Sequence, residues 1–532
     1  MHATQHNQHQ AASRDPSDLF ITLLCITPSL IVGLIGVNRP YDAIPDQDML
    51  WASEALRLLR GVGPSYADHP GIFWTLVYKG NILTLENIFH IPILNDSGQI
   101  LPQGISAAIK VARIENAVLC GIIAAIAYQL SLLLAIKKPI AIYCSLALSL
   151  SSAILVAVSE IRHESVSTLF LMLYIICIGQ RSSPKRETAK EITRCIGATL
   201  LFLLAALSKQ QVLLCAPLAF IAALAAQDAP QRPCIDNRSS AIFHIFSKPK
   251  TSSLLIIGAC IPWLISASPD IDLINLPFWI AINAGLALCA QSRLGAEPAE
   301  RTLCKSLLLI GAVEIFTLKI VIPSWWRQAV TGFPSWMFRH ADPTNNQAQH
   351  TLAGINTYLK ALFTPHAIAA IAIAGAMAVS AISTYHIIKR ASSPRARNAL
   401  FPTLSWLLTI AILVACSQRQ ASRYEIFFFI PLVLMAGWTA SRALDKPTPE
   451  IPQTLIRART AFAWTILITA LISSSANAAN LHTFVNPEQP RSSLCFGHHM
   501  DKTMGLTSAA RCKNFKEAVI DKNKFDSWLG PR

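Results

Sequence analysis

Long apolar runs broken by short polar stretches dominate this chain. Leu19 to Val37, Val118 to Ile136, Leu200 to Leu207, Val212 to Ala226, Phe363 to Ile388 and Phe462 to Ser475 all lack acidic residues. A helix needs roughly 20 apolar residues to cross the hydrocarbon core of a bilayer. The pattern therefore predicts an all-α polytopic membrane protein. The predicted spans are 19–38, 114–136, 138–158, 164–180, 195–208, 211–227, 252–268, 273–290, 304–322, 363–388, 400–416, 424–440 and 461–479, thirteen in all. Ser208-Lys209-Gln210-Gln211 is all that separates the short pair at 195–208 and 211–227. Merging that pair would invert everything downstream.

The basic positions decide the count. With thirteen spans and the N-terminus inside, the cytoplasmic loops hold Lys137/Lys138, Arg181 to Arg194, Arg232 to Lys250, Arg293 to Lys305, Lys389 to Arg397 and Arg442 to Arg459. The short outward loops then hold only Arg162, Lys209, Arg419 and Arg423. Lys and Arg accumulate on the cytoplasmic side of membrane proteins, so the expected topology has the N-terminus in and the C-terminus out. It gives a cytoplasmic tail over 1–18, a transmembrane domain over 19–479 and an outward tail over 480–532. Within the domain, 39–113 forms a first outward loop and 323–362 a second. Cys495 and Cys512 in the tail are either a disulfide or two free thiols.

Composition agrees. The chain is 52% hydrophobic and only 14% charged, against about 25% charged in soluble domains; its mean hydropathy is +0.42. A net charge of +15 is explained by the basic cytoplasmic loops rather than by a nucleic-acid partner. Most of the 13 cysteines lie in apolar segments, where they act as small hydrophobes. No CxxC or Cys/His spacing points to zinc. The polar, His/Gln-rich stretch before Leu19 carries no small-residue cleavage pattern, so the first run is read as a retained helix.

The chemistry concentrates in the first outward loop. Tyr41-Asp42-Ala43-Ile44-Pro45-Asp46-Gln47-Asp48 leads into a segment where Leu50, Trp51, Ala55, Leu58 and Leu59 share one helical face, with Arg57 and Arg60 off it. Gly61 and Gly63 end it. This is an amphipathic helix suited to the membrane surface, with Asp46 and Asp48 at its N-terminal end. Asp48 as a plain helix cap is the bland alternative. Pro64-Ser65-Tyr66-Ala67-Asp68-His69-Pro70-Gly71 follows.

An acidic Asp-x-Asp, an amphipathic helix, a glycine and then Tyr-x-Asp-His-Pro-Gly resembles the GT-C superfamily of membrane glycosyltransferases. The protein O-mannosyltransferases and lipid A aminoarabinose transferases are nearest in pattern. The resemblance is specific over residues 41–76 and architectural elsewhere; Asp-x-Asp stands in place of the usual Asp-Glu or Glu-x-Asp pair, and His-Pro-Gly in place of a Pro-Pro. It implies a GT-C-like fold and an acidic catalytic base in the first outward loop, which points to Asp48, with Asp46 second. It also implies a polyprenyl-(pyro)phosphate sugar as donor and a lipid, glycan or protein hydroxyl as acceptor.

Three further segments lie on the same predicted side. Ser159-Glu160-Ile161-Arg162-His163-Glu164 joins the third and fourth spans, Lys209 sits at the outer edge of the short pair, and Ser422-Arg423-Tyr424-Glu425 opens the twelfth span. Ionisable groups at membrane edges are costly unless solvated, paired or functional; snorkelling to the interface is the alternative for each. Lys209 and Arg423, with Arg162 behind them, are the candidates for the departing phosphate. Tyr66, Asp68, His69, Glu164 and Tyr424 complete the expected substrate contacts. The Asp46/Asp48 pair suits a hard divalent cation, yet two aspartates do not make a site, so metal dependence stays open. The aromatic-rich loop around Trp325, Trp326 and Trp336 is either a cover for the sugar or an interfacial belt.

The rival readings are a secondary transporter and a non-catalytic envelope-polysaccharide assembly protein. Transporters carry repeats and broken or charged helices at mid-membrane; here no repeat is seen and the ionisable residues gather at one edge, with Glu314 and Lys319 in the ninth span the exception. The expected setting is a bacterial inner membrane with the site on the periplasmic face.

Overall fold

A computed structural model describes residues 16–38, 50–59, 72–93, 101–159, 161–179, scattered positions between 201 and 222, and residues 347–389, 394–417, 424–442 and 452–484. The predicted spans at 252–268, 273–290 and 304–322, most of the second outward loop and Cys495 and Cys512 lie outside these residues. Among the described residues every regular element is helical. In chain order they are α1 (Pro16–Gly36), α2 (Leu50–Leu59), α3 (Ile72–Asn87), α4 (Pro102–Leu133), α5 (Lys138–Ser149) and α6 (Ser152–Ser159). Then come α7 (His163–Gly179), α8 (Gln347–Leu362), α9 (His366–Lys389), α10 (Pro394–Ser417), α11 (Glu425–Arg442) and α12 (Gln453–Ala479), with a 3-10 turn over Leu481–Phe484.

Among the described residues, five helices are long and apolar enough to cross a membrane: Leu19–Gly36 in α1, Ser106–Leu133 in α4, His366–His386 in α9, Glu425–Arg442 in α11 and Gln453–Ala479 in α12. These coincide with predicted spans. Two shorter apolar helices, His163–Cys177 and Ser405–Val414, fall where 164–180 and 400–416 were expected.

The span predicted over 138–158 is interrupted: it forms two helices, α5 and α6, that together are long and apolar enough to cross but bend by 47° at a break after Ser149. The backbone groups released there are taken up by protein, as the membrane interior requires. Ser151 Oγ donates to the Leu148 carbonyl at 2.7 Å and Asn477 Nδ2 donates to the Leu150 carbonyl at 2.9 Å. Ser149 Oγ reaches the Cys25 carbonyl of α1 at 2.7 Å. The same logic keeps Pro431 inside α11. A proline removes the donor to the carbonyl four residues back, and the Cys215 thiol takes that Phe427 carbonyl at 3.5 Å.

The described residues of 39–113 are more helical than expected. At 32 residues and 1.5 Å per residue, α4 is about 48 Å long, well beyond a hydrocarbon core of about 30 Å. It begins at Pro102 rather than near 114, and its first turns serve as a post for α2 and α3. A small apolar core forms there from Trp51, Ala52, Ala55 and Leu56 of α2, Trp74 and Tyr78 of α3, and Ala108, Ile109 and Ala112 of α4. Ile93 is bonded to the start of α4: the Leu101 amide donates to the Ile93 carbonyl at 2.7 Å. A side chain on Gly104 would run into the Pro92 carbonyl and the Ile93 backbone.

Thus α2 presses its apolar face on protein, chiefly α3, where the sequence suggested a helix lying on the membrane surface. The main core is separate and larger, built from α1 and α4 to α12.

Candidate active site

The turn between α6 and α7 is the centre of the site. Its backbone is pinned from two sides: Trp74 Nε1 of α3 donates to the Arg162 carbonyl at 3.0 Å. Ser165 Oγ lies 2.7 Å from that same carbonyl and 3.0 Å from Asn116 Oδ1 of α4, its one proton serving both. Asn116 Nδ2 in turn donates to the Ala157 carbonyl at 2.6 Å. Side chains of α3 and α4 therefore fix the turn that carries Arg162, His163 and Glu164.

All three of those ionisable side chains are buried. Lys209 Nζ meets Glu164 Oε1 at 3.1 Å, with both side chains at most 5% exposed. The same ammonium stands 5.8 Å from the centroid of the Tyr424 ring, in cation–π position. Tyr424 is itself buried and ring-stacked on Phe427. Taking a carboxylate and an ammonium out of water costs several kcal/mol per ion, and their attraction rarely does more than recover it. A buried pair of this kind is weak evidence for stability and stronger evidence for a purpose.

The turn is tied to α2. His163 meets the Trp51 ring edge-on, with centroids 4.0 Å apart and planes at 81°. Trp51 is the second residue of α2, whose first residue, Leu50, follows Asp48 by two positions and Asp46 by four. Arg423 likewise immediately precedes Tyr424.

Of the residues expected in the site, Arg162, Glu164, Lys209 and Tyr424 come together at one end of the helical assembly. Asp46, Asp48, Tyr66, Asp68, His69 and Arg423 lie outside the described residues. No group of three His, Cys, Asp or Glu side chains placed to hold a metal occurs among the described residues.

Three buried polar groups near this end escaped the sequence reading: Glu54 on α2, Arg113 on α4 and His163 as an individual contact. Glu54 had a usable signal. It lies three positions after Trp51, so helical periodicity puts it beside the apolar face. Arg113 and His163 had none, because their burial depends on the fold of a distant segment.

No protein-family profile matches the chain, and no curated protein does. Among solved structures, the chain is similar to the archaeal oligosaccharyltransferase AglB from Archaeoglobus fulgidus in complex with an inhibitory peptide and a dolichol-phosphate. Identity is 13% and the TM-score 0.44, over 96% of this chain and 60% of that one. It is also similar to the Archaeoglobus fulgidus oligosaccharyltransferase tethered with an acceptor peptide, at 12% identity and a TM-score of 0.44 over 97% and 59% of the two chains. The chain spans about three fifths of the length of these structures.

Proposed function

We propose that the protein is an integral membrane glycosyltransferase that moves a sugar from a polyprenyl-(pyro)phosphate donor to a hydroxyl acceptor on the outer face of the membrane. The observation that carries this reading is the convergence of a buried Glu164–Lys209–Tyr424 cluster with the helix that follows Asp46 and Asp48, bridged by the Trp51–His163 contact. The resemblance of residues 41–76 to the GT-C superfamily supplies the reaction class.

Nucleotide sugars are cytoplasmic, so an outward site requires a lipid carrier. In the proposed step, Asp48 (or Asp46) takes the proton of the acceptor hydroxyl as its oxygen attacks the anomeric carbon. The bond from that carbon to the phosphate oxygen breaks, and the polyprenyl (pyro)phosphate leaves with the electron pair. One displacement inverts the anomeric centre. Lys209, Arg423 and Arg162 meet the charge that grows on the leaving phosphate. Tyr66, Asp68 and His69 orient the substrates. On this reading the N-terminus is cytoplasmic, the site is periplasmic, and the membrane is a bacterial inner membrane.

A transporter has one feature in its favour, the broken span after Ser149. In transporters such breaks present free backbone groups to a substrate or ion. Here the Leu148 and Leu150 carbonyls are already bonded to Ser151 and Asn477, which favours a structural break.

The test is transfer of labelled sugar from a mixed polyprenyl-phosphate pool in membranes containing wild type, Asp46→Asn or Asp48→Asn. Loss of a general base costs about 10²- to 10⁴-fold, and one of the two variants is expected to show it at normal expression. A parallel arm with a chelator asks whether the aspartates work through a divalent cation. Wild-type transfer by both variants would remove the first loop as the active site.

A further inference from the structure

The end of the assembly opposite the candidate site also buries charge, and there it gathers donors. Arg442 closes α11 and Arg459 lies in the second turn of α12, a helix packed against α11. Arg459 lies four, seven and eleven residues before Ala463, Ile466 and Ala470, all fully buried, so it belongs to the protein-facing stripe of α12. Its Nε and Nη1 atoms are buried without a hydrogen-bond partner among the described residues. Trp438, one turn before Arg442 and 3% exposed, has its Nε1 in the same state. The Arg442 guanidinium lies 5.0 Å from the centroid of the Trp438 ring. Beside them the Lys137 amide donates to Ser441 Oγ at 2.9 Å, which brings Lys137 and Lys138 to the C-terminal end of α11.

Two ordinary explanations cover part of this. A cation at a helix C-terminus is favourable, which accounts for Arg442, and basic residues collect on the cytoplasmic side, which accounts for the number. Neither accounts for Arg459 on the buried stripe, nor for the enclosed Arg459 and Trp438 N–H donors that find no acceptor among the described residues. A buried unmatched donor is costly, and an oxygen-rich anion would supply acceptors at this end. Guanidinium groups match the geometry of phosphate oxygens. Basic pockets between transmembrane helices at this level bind phospholipid headgroups.

We propose that Arg442, Arg459 and Trp438, with Lys137 and Lys138 at the rim, form a binding site for a phosphate group, seated between α5, α11 and α12. The group comes either from an anionic phospholipid headgroup or from free phosphate. This site is independent of the proposed transfer reaction and lies at the other end of the molecule.

The test uses the purified full-length protein in detergent, with thermal unfolding measured alone and with phosphatidylglycerol, phosphatidylcholine or inorganic phosphate. Retention of phosphatidylglycerol is read by native mass spectrometry on wild type, Arg459→Gln, Arg442→Gln/Arg459→Gln and Arg457→Gln. Removing a charged donor from an anion costs about 1.5–3 kcal/mol, so retention should fall about tenfold or more in the Arg459→Gln protein and further in the double variant. Arg457→Gln, on an exposed neighbour, should bind as wild type does. Stabilisation by phosphatidylglycerol alone assigns the site to a headgroup, and stabilisation by inorganic phosphate assigns it to the free anion. Equal effects of phosphatidylglycerol and phosphatidylcholine on wild type, or no effect of any phosphate, would overturn the proposal even if the variants fail to fold. Undiminished retention by a folded double variant would overturn it as well.

Discussion

The two ends of the helical assembly handle buried charge in opposite ways. At the candidate active site, a lysine is matched by a carboxylate and an aromatic face, and hydrogen bonds from α3 and α4 fix the turn that carries the carboxylate. At the other end, Arg459 and Trp438 enclose donors that no described residue accepts. The two ends differ in how many basic residues they carry, but the count does not say which of those cations has a partner. What distinguishes them is whether the partner of each buried cation is built into the chain or must arrive from outside.

The largest predicted effect breaks the matched end. Glu164→Ala strands Lys209 as an uncompensated buried cation, and such losses cost about 3–5 kcal/mol. Thermal or denaturant unfolding of the purified protein should show a drop of that size; a change below about 1 kcal/mol, the surface-pair range, would mean that the ammonium is in fact solvated. Trp74→Phe removes a single neutral hydrogen bond to the Arg162 carbonyl and should cost about 1 kcal/mol in the same assay. At the unmatched end the sign differs. Arg459→Met takes away buried donors that have no partner, so in lipid-free detergent it should leave stability within about 0.5 kcal/mol or raise it. A loss comparable to that of Glu164→Ala would show that Arg459 already has its partner within the chain.

Hydropathy made α1, α4, α9, α11 and α12 legible, because a spanning helix must be apolar for its whole length. It concealed the break after Ser149. Ser149-Leu150-Ser151-Ser152 contains neither proline nor glycine, and serines that satisfy released carbonyls look the same in sequence as serines inside a span. The amphipathic face of α2 was readable from its spacing, but what covers it was not: α3 mixes Lys79, Asn81 and Glu86 with apolar residues and carries no clear period.

For the candidate site, topology placed Arg162, Glu164, Lys209 and Tyr424 on one side, and the structure brings Glu164, Lys209 and Tyr424 into contact, with Arg162 two residues before Glu164. The Glu164–Lys209 pairing and the Trp51–His163 contact were out of reach of the sequence. Each joins segments far apart in the chain through packing that no local pattern encodes. Phosphate-binding cations and snorkelling cations have the same residue types at the same membrane depth; only burial and partners separate them.

The most direct test of the central claim, that the matched pair exists for transfer rather than for stability, is sugar transfer by the Glu164→Gln/Lys209→Met double variant. Replacing both members of a buried ion pair by groups of similar size is often neutral for stability, so the protein should unfold near the wild-type temperature. Transfer from a polyprenyl-phosphate donor should nevertheless fall by about 10²-fold or more, the scale of a lost electrostatic contact to developing charge. Wild-type transfer by a stably folded double variant would contradict the account.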